Sequence, residues 1–134
     1  MLRKIEHIGI AVKDIEASNK IFEDLLGVAP YKREEVGKEG VMTSFFQVGQ
    51  SKIELLQAII PESPIARFLE KNKEGIHHLA FDVEDIHAEI SRLMALGFRM
   101  INELPKNGAD GKIIAFLHPK DTNGVLIELC QNKV

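Results

Sequence analysis

Two histidines and two glutamates of this chain recur in a pattern that suits a divalent cation. His7 opens the run His7-Ile-Gly-Ile-Ala-Val-Lys-Asp-Ile, and 71 positions later His78 opens His78-Leu-Ala-Phe-Asp-Val-Glu-Asp-Ile. Glu54 lies within Ile53-Glu54-Leu55-Leu56-Gln57, and 74 positions later Glu128 lies within Ile127-Glu128-Leu129-Cys130-Gln131. A carboxylate flanked by aliphatic residues in a central strand is costly to bury unless it is paired or binds a cation. Two imidazoles and two carboxylates together suit a borderline ion such as Co, Mn, Ni, Fe or Zn, with positions left for water or substrate. One histidine on a strand is more often structural. The duplicated quartet is what points to a metal.

The elements that must position these four residues show the same duplication. Strand patterns, rich in Ile, Val and Phe and in places alternating with period two, cover Arg3–Val12, Val28–Val36, Val41–Val48 and Lys52–Ile60. Four more cover Gly75–Val83, Phe98–Glu103, Lys112–Leu117 and Val125–Gln131. A helix over Ile15–Leu26 has Asp14 as N-cap, Ile21, Phe22, Leu25 and Leu26 on one face, and Gly27 as terminator. Another over Ile86–Leu96 repeats the plan, with Asp85 as N-cap, Ile86, Ile90, Leu93 and Met94 apolar, and Gly97 to stop. Between them Ser63-Pro64 starts a linking helix that ends near Gly75. The order predicts one domain over residues 1–134 of the α+β class. It holds two tandem βαβββ modules, about 1–61 and 75–134, joined by a helix over about 63–74.

Side chains alternate across a strand, so residues two apart share a face. Ile8, Ile10 and Val12 then face the helix layer, and His7, Gly9 and Ala11 the reverse. The second copy sorts Leu79, Phe81 and Val83 from His78, Ala80 and Asp82. In the module-ending strands Ile53 and Leu55, and Ile127 and Leu129, are the buried pairs, with Glu54 and Glu128 on the reverse face. Each histidine is followed by small residues on its own face, which leaves room for a ligand. Where the two modules meet, the four side chains are expected to converge.

Bulk properties narrow the field. The net charge of −3 provides no basic excess to neutralise phosphates, which argues against general nucleic-acid binding. A single cysteine, Cys130, allows no internal disulfide and fits a reducing compartment. No run approaches the roughly 20 apolar residues that a membrane helix needs. The opening Met-Leu-Arg-Lys-Ile-Glu-His-Ile does not read as a signal peptide, so a cytoplasmic location is expected.

The chain resembles a known family at the residues just described. The repeated βαβββ plan, with His at the start and Glu at the end of each module, is similar to the vicinal oxygen chelate superfamily. Within it the chain resembles the methylmalonyl-CoA epimerases. The stretches that carry this are His7-Ile-Gly-Ile-Ala-Val, Ile53-Glu-Leu-Leu, Ser63-Pro-Ile-Ala-Arg-Phe-Leu, Gly75-Ile-His-His-Leu-Ala, Gly108-Ala-Asp-Gly, Phe116-Leu-His-Pro-Lys-Asp and Gly124-Val-Leu-Ile-Glu-Leu-Cys. The resemblance implies a curved, barrel-like mixed sheet around a central metal held by His7, Glu54, His78 and Glu128. It also implies interconversion of (R)- and (S)-methylmalonyl-CoA, an acyl-CoA substrate and a homodimer. In it Glu128 serves as a base as well as a ligand, and some relatives carry Gln where Glu54 stands. Some carry a glutamate at the position of Thr43, whose hydroxyl does not ionise near neutrality. Another group or a water then serves the second face, or one base works both.

The remaining polar residues have competing readings. His118-Pro119-Lys120 follows a strand; Lys120 could hold the substrate carboxylate and His118 could orient substrate or water, or the segment is a solvated turn. His77 points away from the face of His78 and reads as a structural histidine, and His87 reads as solvent-facing. Cys130 shares the face of Glu128 and reads as a small packed residue rather than a nucleophile. The alternatives to an epimerase are a glyoxalase I-like lyase with the same ligand pattern and a non-enzymatic sequestering protein of the same fold. A ring-cleaving dioxygenase fits less well, because a fourth ligand would occupy a position needed for oxygen.

Overall fold

Asp14 and Asp85 each begin a helix in the computed structural model, which describes residues 1–133. Strand β1 (Leu2–Ala11) leads into α1 (Ile15–Leu26), and then come β2 (Lys32–Val36), β3 (Val41–Val48) and β4 (Ser51–Ala58). After α2 (Pro64–Lys71) the plan recurs with β5 (Gly75–Val83), α3 (Ile86–Ala95), β6 (Lys106–Asn107), β7 (Lys112–Phe116) and β8 (Ile127–Asn132). This is the α+β plan of two βαβββ copies that the sequence predicts. No helix among the described residues is long and apolar enough to cross a membrane.

The chain divides into two compact units, one of His7–His77 and one of Met1–Glu6 with the residues from His78 onward. In the first, neighbouring strands run in the order β2-β3-β4-β1, and in the second β5-β8-β7-β6. The first has one apolar cluster under α1, built on Val12, Ile15, Phe46 and Leu55. A second cluster under α2 joins Ala11, Val41, Leu56 and Ile65. The second unit packs Val83, Ile86, Ile90, Leu93, Ala115, Leu117 and Leu129 together.

Both repeated helices begin in the same way. Asp14 accepts from the backbone N–H groups of Glu16 and Ala17 at 3.0 and 3.2 Å, and Asp85 accepts from Ala88 at 3.1 Å. The N–H of Ile15 donates to Gln57 Oε1 at 2.7 Å, and that of Ile86 donates to Gln131 Oε1 at 2.7 Å. A helix start leaves its first donors without intrahelical partners. The glutamine ending each module therefore fastens that module's helix to its last strand. Gln131→Ala is expected to cost about 1–3 kcal/mol, since a buried donor at Ile86 loses its acceptor. Urea unfolding of the variant measures this, and an unchanged midpoint would contradict it.

Several boundaries differ from the sequence reading. The strand expected from Val28 begins at Lys32, because Gly27 takes a left-handed turn (φ 73°) and Pro30 has no N–H; pairing resumes at Tyr31, whose N–H reaches Phe45 O at 2.9 Å. The strand expected over Phe98–Glu103 reduces to a single bridge between Met100 and Leu117. There the Asn102 side chain accepts from the N–H of Phe116 at 3.1 Å, and Pro105 cannot donate, so pairing resumes only in the short β6. The linking helix stops at Lys71, where Asn72 Nδ2 donates to Phe68 O at 3.0 Å. On α1, Ile21 and Leu25 are exposed and the buried stripe runs through Ile15, Ser18 and Asn19 instead. Met94 of α3 is likewise exposed.

Candidate metal and substrate site

Each histidine is brought to its glutamate by a parallel strand pair, and the register is the same twice. In the first unit β1 pairs with β4, with Gly9 opposite Glu54. In the second β5 pairs with β8, with Ala80 opposite Glu128. His7 stands two residues before Gly9, and His78 two before Ala80, so each imidazole shares a face with its carboxylate, one step along the ladder. The small residues between them leave the side chains free to meet. His7 Nδ1 lies 3.1 Å from Glu54 Oε2, and His78 Nε2 lies 3.1 Å from Glu128 Oε1.

All four residues are buried, at 4–6 % exposure. Burial of charge at that depth needs compensation from a partner or an ion. The spacing also suits ligation. Two ligand atoms each about 2.1 Å from one ion and at right angles to each other stand about 3.0 Å apart. Each pair therefore fits two adjacent positions on a metal, and both donor types suit a borderline divalent ion. Glu128 has a further neighbour, because the Cys130 thiol donates to Glu128 Oε2 at 3.0 Å. Cys130 is fully buried, which agrees with the packed reading of this residue.

The neighbours of the two pairs repeat as well, and the sequence reading missed them. Phe45 is opposite Glu54 across β3 and β4, and Phe116 is opposite Glu128 across β7 and β8. These phenylalanines are 71 positions apart, so extending the offset of the histidines would have found them. The Phe116 ring stands edge-on to His78, with centroids 6.0 Å apart. Near Phe45 are Tyr31, at 5.8 Å between centroids, and the ammonium groups of Lys32 and Lys52, at 5.1 and 5.9 Å from its centroid.

The residues singled out for substrate contact fall differently. Thr43 is buried, and its register puts it on the Glu54 face, opposite Glu34 on one side and Leu56 on the other. His118 caps a short 3-10 turn, Pro119–Asp121, and its Nδ1 accepts from the N–H of Lys120 at 3.2 Å. Lys120 itself is exposed, so this segment has the contacts of a solvated turn. His77 packs edge-on against Phe68 at 5.1 Å, a structural role, and His87 is exposed.

That turn is anchored by an ion pair with a pH signature. Arg99 donates from its side chain to both carboxylate oxygens of Asp121, and its backbone N–H adds a bond of 2.8 Å. The guanidinium and then the backbone N–H hold the Asp121 carboxyl down, from 3.8 to about 2. A depressed carboxyl stabilises the fold above its unfolded value and loses that contribution as pH falls through the folded one. Asp121→Asn should therefore flatten the acid limb of stability between about pH 4 and pH 2. Thermal unfolding followed across that window reads it, and a limb as steep as in the parent would contradict it.

Comparisons with known proteins agree with this architecture. Residues 6–116 match the model of the Glyoxalase/Bleomycin resistance protein/Dioxygenase superfamily. The ethylmalonyl-CoA/methylmalonyl-CoA epimerase of Cereibacter sphaeroides is 44% identical, over 98% of this chain and 99% of its own length. The mitochondrial methylmalonyl-CoA epimerase of Homo sapiens is 40% identical, over 97% of this chain and 74% of its own. Among solved structures, a variant of Streptomyces coelicolor methylmalonyl-CoA epimerase in complex with 2-nitronate-propionyl-CoA superposes with a TM-score of 0.95. It is 33% identical and covers 100% of this chain and 97% of that one. With the fold, the duplicated register and near-full-length identity in agreement, the chain belongs to the Glyoxalase/Bleomycin resistance protein/Dioxygenase superfamily and, within it, to the methylmalonyl-CoA epimerases.

Proposed function

We propose that this chain interconverts (R)- and (S)-methylmalonyl-CoA at a divalent metal held by His7, Glu54, His78 and Glu128. The observation that carries the reading is the buried His–Glu pair built twice, in the same register, by duplicated strands. Near-full-length identity to proteins named as epimerases supports the substrate. On the same grounds the chain is read as a cytoplasmic homodimer that binds acyl-CoA.

The chemical difficulty is to remove a carbon-bound proton beside a thioester near neutral pH. A divalent ion in this donor set, Co, Mn, Ni, Fe or Zn, would supply Lewis-acid stabilisation of the charge that develops on the thioester oxygen. Glu128 is the general base: Oε1 pairs with His78 for ligation, and Oε2, which accepts from the Cys130 thiol, is the oxygen left to take the C2 proton. Return of a proton to the opposite face completes the epimerisation. Thr43 is assigned a contact to substrate and not a base, because a hydroxyl does not ionise in this range. His118 and Lys120 are assigned to the rim of the same site, where Lys120 is exposed to incoming substrate.

The test is isotopic. Metal-supplied protein incubated with one methylmalonyl-CoA epimer in deuterated water should place deuterium at C2 and produce the other epimer. If neither appears, the activity is wrong. Elemental analysis of the purified protein reads the metal separately.

A further inference from the structure

Epimerisation at C2 needs a proton taken from one face of the carbon and another delivered to the opposite face. A carboxylate fixed in place, as Glu128 is beside His78 and Cys130, serves one face. Thr43 offers only a hydroxyl for the other, and a hydroxyl does not ionise near neutrality. The next strand outward carries a carboxylate. The β2–β3 register puts Glu34 directly opposite Thr43 and Lys32 directly opposite Phe45. Across β3 and β4, Phe45 is opposite Glu54 and Thr43 is opposite Leu56. Residues opposite each other in a sheet share a face, so Lys32, Glu34, Thr43, Phe45 and Glu54 lie on one side of the first unit. Lys52, two residues before Glu54, lies there as well.

Chemistry and placement both favour Glu34 among these. A lysine ammonium only donates, whereas a carboxyl both takes and returns a proton, as a reversible reaction requires. Lys32 Nζ lies 3.2 Å from Glu34 Oε1 and 5.1 Å from the centroid of the Phe45 ring. The two side chains are 39% and 34% exposed, and an ion pair so open to solvent contributes little to stability. Its effect is to aim the carboxylate along β2, from the level of Thr43 toward that of Phe45 and Glu54. Thr43 is short and does not screen the longer Glu34 side chain. The fold itself does not ask for a carboxylate here: the second module puts Lys106 opposite Ile114, the counterpart of Thr43.

Resting on the epimerase reading, we propose that Glu34 is the acid and base of the C2 face that Glu128 does not serve. In one direction Glu128 Oε2 takes the C2 proton and the electron pair of the broken C–H bond stays on the substrate. A protonated Glu34 then gives its proton to the other face of C2, where the new C–H bond forms, and is left as a carboxylate. The reverse direction exchanges the two roles. Exchange with water returns both carboxyls to their starting states between turnovers.

The experiment separates exchange from inversion. Each methylmalonyl-CoA epimer is incubated in deuterated water with metal-supplied parent, Glu34→Gln and Glu35→Gln, and deuterium at C2 and conversion to the other epimer are both followed. Glu34→Gln should lower conversion by about 10²–10⁴-fold, the usual contribution of a positioned acid or base. One epimer should still gain deuterium within about tenfold of the parent rate while keeping its configuration, because Glu128 still removes and returns its proton. The other epimer should neither exchange nor convert. Glu35 is exposed on the reverse face, so Glu35→Gln should leave exchange and conversion as in the parent. Glu34→Asp takes the place of the amide variant if that does not fold, with the same split expected at smaller size. Undiminished conversion in the Glu34 variant, or exchange lost from both epimers alike, overturns the proposal and leaves the epimerase reading standing if the parent converts. A parent that neither exchanges nor converts either epimer retires the epimerase reading together with it.

Discussion

Glu128→Gln is expected to lower the rate of deuterium incorporation at C2 by about 10²–10⁴-fold, the usual contribution of a positioned general base. The amide keeps the size of the side chain and an oxygen for ligation, but it accepts no proton near neutrality. The matched change on the other module, Glu54→Gln, should keep the rate within about tenfold, because its counterpart is assigned ligation alone. The contrast is informative because the two glutamates are built alike. Each is opposite a small residue on the parallel strand and a phenylalanine on the antiparallel one. Only Glu128 has a thiol holding its second oxygen, since the position equivalent to Cys130 in the first module is Leu56. Single-turnover exchange measured on variants with equal metal content separates the two roles. Equal losses at both positions would mean that ligation, and not proton transfer, is what Glu128 contributes.

The largest effect on stability is expected one residue away from the proposed site. Leu55→Ala should cost about 2–5 kcal/mol, because it removes a buried branched side chain and leaves a cavity. Leu55 is fully buried among Val12, Ile15 and Phe46 under α1. Its neighbour Glu54 faces the other way, toward His7. Glu54→Gln should therefore leave the urea midpoint nearly unchanged, while Leu55→Ala lowers it and leaves the proposed ligands in place. Adjacent residues thus separate folding from chemistry, as period-two alternation requires. A cost below about 1 kcal/mol at Leu55 would show that the faces have been assigned the wrong way round.

Much of this was legible without coordinates, because it depends on local rules that duplication states twice. Asp14 and Asp85 cap helices, Gly27 and Gly97 lie where those helices end, and Ser63-Pro64 opens the linker, as their residue types dictate. The pairing of His7 with Glu54 and of His78 with Glu128 followed from alternation plus a repeated motif. Where the reading failed, a tertiary contact overrode a local preference. The pattern over Phe98–Glu103 favours a strand, yet the Asn102 side chain takes the N–H of Phe116 that a continuous ladder would use. Ile21 and Leu25 are apolar and correctly spaced for a helix, but the sheet covers only the neighbouring stripe.

Residue type and spacing alone therefore determined the class of fold, the duplicated modules and the two His–Glu pairs. Those features arise from contacts over one turn or one strand repeat, and the chain writes them out locally. Only the tertiary structure decided that Lys52 is buried on the Glu54 face, that Gln57 and Gln131 fasten the helices, and that Cys130 holds Glu128. Each depends on which residue of a distant strand lies opposite, and strand register is settled by packing across the whole sheet.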